Sequence, residues 1–124
     1  MSTQELVQVS QDNGIVRIRL NRPEKKNAFT QDMYTACNEA LKAADADNSI
    51  HAVLFESTGD SFSAGNDLND FLAVENLDES APPFQFLHTL ACVEVPVVAA
   101  VNGLAIGIGT TLLLHCDIVY SSDE

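Results

Sequence analysis

The chain has 124 residues, 46% of them hydrophobic, which is enough apolar material for a packed core in one domain or part of one. Eighteen acidic and six basic residues give a net charge of −12, which argues against nucleic acid and anionic membranes as partners. The sequence has no run of 18 apolar residues and no basic start followed by an apolar leader, so we expect a cytoplasmic protein, with import into an organelle left open.

The composition also bears on the core and the thiols. Aromatic residues are sparse, with six Phe, two Tyr and no Trp, and this predicts an aliphatic core. Cys37, Cys92 and Cys116 lack a C-x-x-C spacing, so they predict buried free thiols and neither a disulfide nor a zinc site.

The positive charge is confined to the first third of the chain. All six basic residues lie at or before Lys42, and five of them fall within ten residues: Arg17, Arg19, Arg22, Lys25 and Lys26. Such a cluster indicates either a local anion site in an otherwise acidic chain or a solvated strand end that balances neighbouring acids.

Residues 5–29 predict a hairpin followed by a basic loop. Two alternating apolar runs flank Asp12-Asn13-Gly14, and Pro23 stops the second strand. Thr30 can then cap a helix that ends near Asp47-Asn48. Its apolar positions follow the 3.6-residue period: Met33, Cys37, Ala40, Leu41 and Ala44.

The next stretch predicts a second strand and a loop with room for a ligand. Ala52 to Ser57 reads as a buried strand, and the order strand, helix, strand favours a parallel sheet. In the loop over 58–70, Ala64-Gly65 permits close approach of the backbone to a ligand before a short helix begins. The acidic residues of this loop lack the EF-hand spacing, so no metal site is predicted.

An acidic, proline-containing stretch then precedes another helix. We predict a mobile excursion over residues 73–83, because Pro82-Pro83 should block regular structure. A helical stripe runs from Phe84 to Glu94, and His88 on it is interpreted as packed or partly exposed, not catalytic.

The most informative stretch is a strand followed by a glycine-rich turn. Pro96 to Val101 predicts a strand buried on both faces, and residues 102–115 predict a turn and a helix start at Gly107-Ile108-Gly109. Free N–H groups at that start suit an oxyanion, although such a turn can also simply pack a helix onto a sheet. The order G-x-x-x-G-x-G matches neither of the two main phosphate-binding motifs. A short apolar strand then ends near Tyr120.

Three segments together carry a family resemblance: LNRPEKKNAF (20–29), FSAGNDL (62–68), and PVVAAVNGLAIGIG through CDIVYSS (96–122). Over essentially its whole length the chain resembles the crotonase superfamily of enoyl-CoA hydratases and isomerases. The resemblance implies an α/β fold, the N-terminal part of a ββα spiral without its closing C-terminal helices. It also implies a homotrimer or hexamer for the full-length protein.

The resemblance assigns roles to particular positions. The backbone N–H groups of Asn66 and Ile108 would form the oxyanion hole for the thioester oxygen of an acyl-CoA substrate, with no further cofactor. Backbone groups from Ala64 to Leu68 would hold the adenine end, and Arg22, Lys25 and Lys26 would meet the CoA phosphates. The other predicted binding positions are Ala28, Ser63, Gly65, Asp67, Gly107, Gly109 and Thr111.

One departure from the family pattern bears on the reaction. Hydratases carry a glutamate where this chain has Thr111, and a hydroxyl cannot act as a base near neutral pH, so hydration is disfavoured. The similarity is greatest to Δ3-Δ2-enoyl-CoA isomerases, whose single glutamate is expected beyond Glu124. The alternatives are another thioester-enolate reaction, such as hydrolysis, decarboxylation or dehalogenation, and a non-catalytic acyl-CoA binder. Asp67 and Asp117 are interpreted as structural carboxylates, whereas Glu56 ends a buried strand and could face either way; none of the three is expected to be the base.

Overall fold

The computed structural model describes residues 5–72 and 80–121. Its strands are β1 (Val7–Asp12), β2 (Ile15–Leu20), β3 (Ala52–Ser57), β4 (Ser61–Ser63), β5 (Val97–Val101), β6 (Leu104–Ala105) and β7 (Ile118–Ser121). Five of these strands form the main sheet, in the order β1-β2-β3-β5-β7. The helices are α1 (Gln31–Ala46), α2 (Leu68–Leu72), α3 (Pro82–Cys92) and α4 (Ile108–Leu114).

The predicted hairpin is confirmed. β1 and β2 pair antiparallel, and Asn13 and Gly14 between them have φ values of 51° and 79°, as a tight hairpin turn of this kind requires. Alternation along β2 buries Val16 and Ile18 and leaves Arg17 exposed.

The predicted parallel crossover is also confirmed. The Thr30 hydroxyl accepts a hydrogen bond from the Met33 amide and caps α1, which ends at Ala46, one residue before the expected boundary. β3 then pairs parallel with β2. A 3-10 turn over Pro23–Lys25 forms the first part of the basic loop.

Two short strands escaped the sequence analysis. β4 and β6 pair in parallel as a separate two-stranded sheet. β4 has three residues and β6 has two, which is too few to show an alternating pattern. Only the tertiary structure therefore reveals this pairing.

The predicted excursion over 73–83 needs a correction at its end. Residues 73–79 lie outside the described part of the chain, but Pro82 and Pro83 are the first two residues of α3. Proline is tolerated there because the first turn of a helix has no intrahelical acceptor for its N–H groups. His88 on this helix is exposed.

β5 lies between β3 and β7 and is parallel to both. The prediction that it is buried on both faces is wrong: Val97 and Ala99 are buried, whereas Val98 and Ala100 are half-buried. β7 is exposed along its described length, and 65% of Tyr120 is exposed.

The core contains more aromatic packing than the composition suggested. Phe29, Tyr34, Phe55 and Phe86 are fully buried in it, with ring centroids of contacting pairs 4.7–6.2 Å apart. The core is nevertheless mainly aliphatic, as predicted, and four of the chain's eight aromatic rings pack together within it. The thiol prediction holds for Cys37 only, since Cys116 is half-buried and Cys92 is exposed.

Candidate active site

The first bend of the site follows β4 and turns at Gly65, which has φ 98°. The Phe29 amide donates to the Gly65 carbonyl at 2.7 Å, and the Asp67 amide donates to the Phe29 carbonyl at 2.8 Å. Because a trans peptide is planar, the N–H of Asn66 points opposite to the Gly65 carbonyl and so away from Phe29. Within the described residues this N–H has no acceptor.

The second bend places Ile108 at the first position of α4. The Gly107 carbonyl accepts hydrogen bonds from the amides of Thr110 and Thr111, each at 3.0 Å. The Ile108 N–H shares the peptide plane of that carbonyl and therefore points out of the helix start. It too lacks an acceptor in the part of the chain that the structure describes.

The two bends are in contact with each other. The Ile106 amide donates to the Ser63 carbonyl at 2.9 Å, and a Cβ added to Gly107 would lie 3.5 Å from the Gly65 Cα. A Cβ on Gly65 would lie 3.2 Å from the Ile106 carbonyl oxygen, and one on Gly109 only 2.9 Å from that of Ser63. The glycines of both bends therefore permit the close approach of two backbones that side chains would separate.

Side-chain hydrogen bonds at two of the predicted binding positions shape the bends. Ser63 is fully buried, its hydroxyl donates to the Asn27 carbonyl at 2.9 Å, and it accepts from the Gly65 amide at 3.2 Å. The Thr111 hydroxyl donates to the Gly107 carbonyl at 3.2 Å. Leu68 differs from both, because 72% of it is exposed at the start of α2.

The basic loop lies against the first bend. The Ala64 amide donates to the Lys26 carbonyl at 3.0 Å, which places the loop backbone beside the bend. The Lys26 Nζ lies 3.5 Å from Asp60 Oδ1, and both side chains are largely exposed. Lys25 is exposed and forms no ion pair with any described residue.

Arg22 has a structural contact that the sequence analysis did not anticipate. Its Nη1 donates to Asp67 Oδ2 at 2.7 Å and to the Ala28 carbonyl at 3.1 Å, with both charged side chains mostly buried. The amide of Asp70 and the guanidinium of Arg22 hold the pKa of the Asp67 carboxyl below its usual range. Asp67 is thus a structural carboxylate, as predicted, while a phosphate contact by Arg22 stays a prediction.

Asn27 is an organising residue that the sequence analysis missed. It is fully buried, and its side-chain oxygen accepts from the Arg22 amide at 2.7 Å. Its side-chain nitrogen donates to the carbonyls of Thr58 and Ser61, both at 2.8 Å. A buried asparagine in a polar loop belongs to no alternating or 3.6-residue pattern in the sequence, so its hydrogen-bond partners are known only from the fold.

Tyr34 is the second missed residue. Its hydroxyl donates to Asn66 Oδ1, and burial raises the pKa of this hydroxyl. The signal was present in the sequence, since Tyr34 lies three and seven residues before Cys37 and Leu41 and so shares the buried stripe of α1.

Two further carboxylates weighed from the sequence also have structural partners. Glu56 Oε2 pairs with Arg19 Nη2 at 2.8 Å across neighbouring strands. Asp117 Oδ2 accepts from the Val97 amide at 2.8 Å and ties the turn between α4 and β7 to the start of β5. This contact agrees with the structural interpretation of Asp117, and the ion pair of Glu56 settles a position that the sequence left open.

Solved structures define the class of fold. The chain superposes on OdaA from Pseudomonas aeruginosa with a TM-score of 0.90 and 45% identity, covering 96% of this chain and 48% of that one. An enoyl-CoA hydratase/isomerase from Pseudoalteromonas atlantica matches with a TM-score of 0.89 and 42% identity, covering 94% and 47%. The fold is thus of the crotonase type, and the chain spans about half the length of these structures, which agrees with an N-terminal part.

Sequence comparison identifies the family. The enoyl-CoA hydratase/isomerase family profile matches residues 10–124. Enoyl-CoA delta isomerase 2 of Rattus norvegicus is 41% identical over 122 residues, which are 94% of this chain and 31% of that protein. The chain belongs to the enoyl-CoA hydratase/isomerase family, as the motif resemblance predicted, and spans about a third of this curated relative.

Proposed function

We propose that the protein performs acyl-CoA thioester chemistry through an enolate held by the backbone amides of Asn66 and Ile108. The proposal rests on one observation: each of the two touching glycine bends carries a main-chain N–H group that has no acceptor among the described residues. Family membership supports a CoA thioester as the substrate class.

The physical basis is the charge that develops on the thioester oxygen. Removal of a proton from C2 moves negative charge onto this oxygen, and fixed N–H donors stabilise it without reorganising during the reaction. The Phe29 amide bonds to the carbonyl of one donor peptide, and the Thr110 and Thr111 amides bond to the other. Bonds of this kind polarise a peptide and strengthen its N–H as a donor.

Among thioester reactions we favour Δ3-Δ2-enoyl-CoA isomerisation. One carboxylate would remove a proton from C2, the electron pair would delocalise over a dienolate, and the proton would return at C4, so that only the double bond moves. Near the second bend Thr111 has a hydroxyl and no carboxylate. Hydration of a double bond needs two carboxylates, so it is disfavoured. The name of the rat relative, a delta isomerase, supports the same choice.

The proposal is tested by removing one N–H donor. Ile108→Pro lacks the amide proton but suits the first position of a helix, where this proton has no intrahelical acceptor. Ile108→Ala is the matched control, because it loses the same side chain and keeps the N–H. The readout is the ratio of affinities, by calorimetry, for an acyl-CoA thioester and for the thioether analogue that lacks the carbonyl oxygen.

We expect Ile108→Ala to keep the thioester preference and Ile108→Pro to reduce it by roughly threefold to tenfold, the range of one neutral hydrogen bond. In the natural protein, conversion of a 3-enoyl-CoA to its conjugated 2-enoyl isomer, followed by absorbance, should slow by about 10²–10³ in Ile108→Pro. An equal thioester preference in both variants would contradict the assignment of Ile108.

A further inference from the structure

The side chain of Tyr34 on α1 lies outside the two bends and contacts the side chain of Asn66 in the first bend. Tyr34 lies in the first turn of α1, is 1% exposed, and donates its hydroxyl to Oδ1 of Asn66, whose own side chain is exposed. We propose that Tyr34 is a positioning residue that fixes the direction of the Asn66 N–H, an inference that rests on the proposed function of this amide.

Tyr34 is itself held rigidly. Its ring centroid lies 4.7 Å from that of Phe29 and 5.9 Å from that of Phe86, and all three rings are buried. The Thr30 cap fixes the start of the helix that carries it. The hydroxyl is therefore presented from a packed aromatic cluster that cannot easily move without disturbing the core.

The first bend needs such an anchor because of the glycine within it. Gly65 has φ 98° and no Cβ, so its backbone torsions are less restricted than those of other residues. The bond from the Phe29 amide holds the Gly65 carbonyl. The bond from Tyr34 holds the Asn66 side chain, and together they oppose rotation of the peptide that contains the Asn66 N–H.

The contact is not needed to satisfy Asn66. Because Asn66 is exposed, water can replace the hydroxyl when Tyr34 is changed to Phe, and the phenylalanine ring fills the same space in the aromatic cluster. Tyr34→Phe should therefore fold and isolate the effect of the single hydrogen bond on the bend.

The experiment compares Tyr34→Phe with Thr89→Val in the full chain. Thr89 on α3 donates its hydroxyl to Oδ1 of Asn38 on α1, so the control removes the same type of interelement bond from the same helix, away from the bends. The first measurement is the NMR order parameter of the Asn66 amide. The second is the affinity ratio of acyl-CoA thioester to thioether.

We expect the Asn66 order parameter to fall in Tyr34→Phe from about 0.85, typical of rigid backbone, toward the flexible range below about 0.6, and to be unchanged in Thr89→Val. The thioester preference should drop about threefold or more in Tyr34→Phe only, with thioether affinity unchanged. Asn66→Ala should show the same drop, and adding Tyr34→Phe to it should cause no further loss, because both changes remove one interaction.

The outcomes separate this inference from the proposed function. An unchanged order parameter and an unchanged preference in Tyr34→Phe would overturn the positioning role and leave the oxyanion proposal standing. A wild-type chain that binds thioester and thioether equally would overturn the proposed function and the inference with it. A further loss on adding Tyr34→Phe to Asn66→Ala would show that Tyr34 does not act through Asn66.

Discussion

Asn27 shows how a single buried amide can join two segments that are far apart in the sequence. Its φ of 57° is a left-handed conformation that asparagine tolerates better than most residues. Its side-chain oxygen and nitrogen bond the start of the basic loop and the segment from Thr58 to Ser61. Its carbonyl accepts from Ser63, so the residue links the basic loop to the first bend.

We predict that Asn27→Asp strongly destabilises the fold. The change replaces the NH₂ that donates to two carbonyl oxygens with a carboxylate oxygen that they would repel, in a fully buried site. The expected loss is on the order of 3 kcal/mol, since a buried charge whose second oxygen has no donor costs more than one lost hydrogen bond.

Urea unfolding measures this loss, and Asn48→Asp is the matched control. Asn48 is exposed, so the same chemical change there should alter the free energy of unfolding by less than about 0.5 kcal/mol. Equal stabilities of the two variants would show that the contacts of Asn27 contribute little.

At the scale of elements, the first bend and α2 are tied to the chain before and within α1. Phe29 holds the backbone of the bend, the Asp67 carboxylate bonds Arg22, and the Gln31 amide donates to Asp70 Oδ2 at 2.8 Å. Asp67 Oδ1 also accepts from the Asp70 amide at 2.9 Å, at the start of α2. Two segments far apart in the sequence therefore act as one structural unit.

This unit predicts a pH-dependent stability. The pKa of Asp67 is lowered in the folded chain, so its contribution is fully present above the ordinary aspartate pKa of about 3.9 and is lost as pH falls through the lower folded value. Asp67→Asn keeps an acceptor for the Asp70 amide but removes the charge that pairs with Arg22.

Unfolding by urea at a series of pH values compares the two chains. We expect Asp67→Asn to be less stable than the wild type at pH 7, with the difference shrinking as the pH falls below 4. A difference that stays constant down to acid pH would contradict a contribution from the charged carboxylate.

At the scale of the whole molecule, the charge is strongly asymmetric. The net charge is −12, yet Lys25 and Lys26 are exposed on the loop that lies against the first bend. If CoA is the ligand, as proposed, its phosphates would be repelled by the molecule as a whole and attracted to this loop. Local placement and overall charge thus have opposite effects on binding.

Two charge reversals separate these effects. Lys25→Glu and Lys42→Glu change the net charge equally, but Lys42 lies on α1 and not in the basic loop. At low ionic strength we expect Lys25→Glu to weaken CoA binding roughly threefold to tenfold and Lys42→Glu to weaken it less, with the difference decreasing in salt. Equal losses, measured by calorimetry, would assign the effect to net charge alone.

The predicted compartment and assembly are also properties of the whole molecule. Among the described residues no helix is long and apolar enough to span a bilayer. A cytoplasmic location and a trimeric or hexameric assembly stay predictions.

The sequence by itself determined the elements whose residues repeat at a regular interval. β2 alternates, α1 has a 3.6-residue stripe behind a threonine cap, and the Asn13-Gly14 turn demands positive φ; each is a local property of neighbouring residues. The motifs of the basic loop and the two bends likewise carried the family resemblance, and the glycines of the bends allow their two backbones to touch.

Only the tertiary structure decided which distant residues meet. Tyr34 and Asn66 are 32 residues apart, Arg22 and Asp67 are 45 apart, and the β4 to β6 pair involves strands too short to recognise. These contacts follow from how α1 and the two bends pack on the sheet. Residue type and spacing alone do not specify them, because a hydroxyl or a guanidinium can find many partners and the fold selects one.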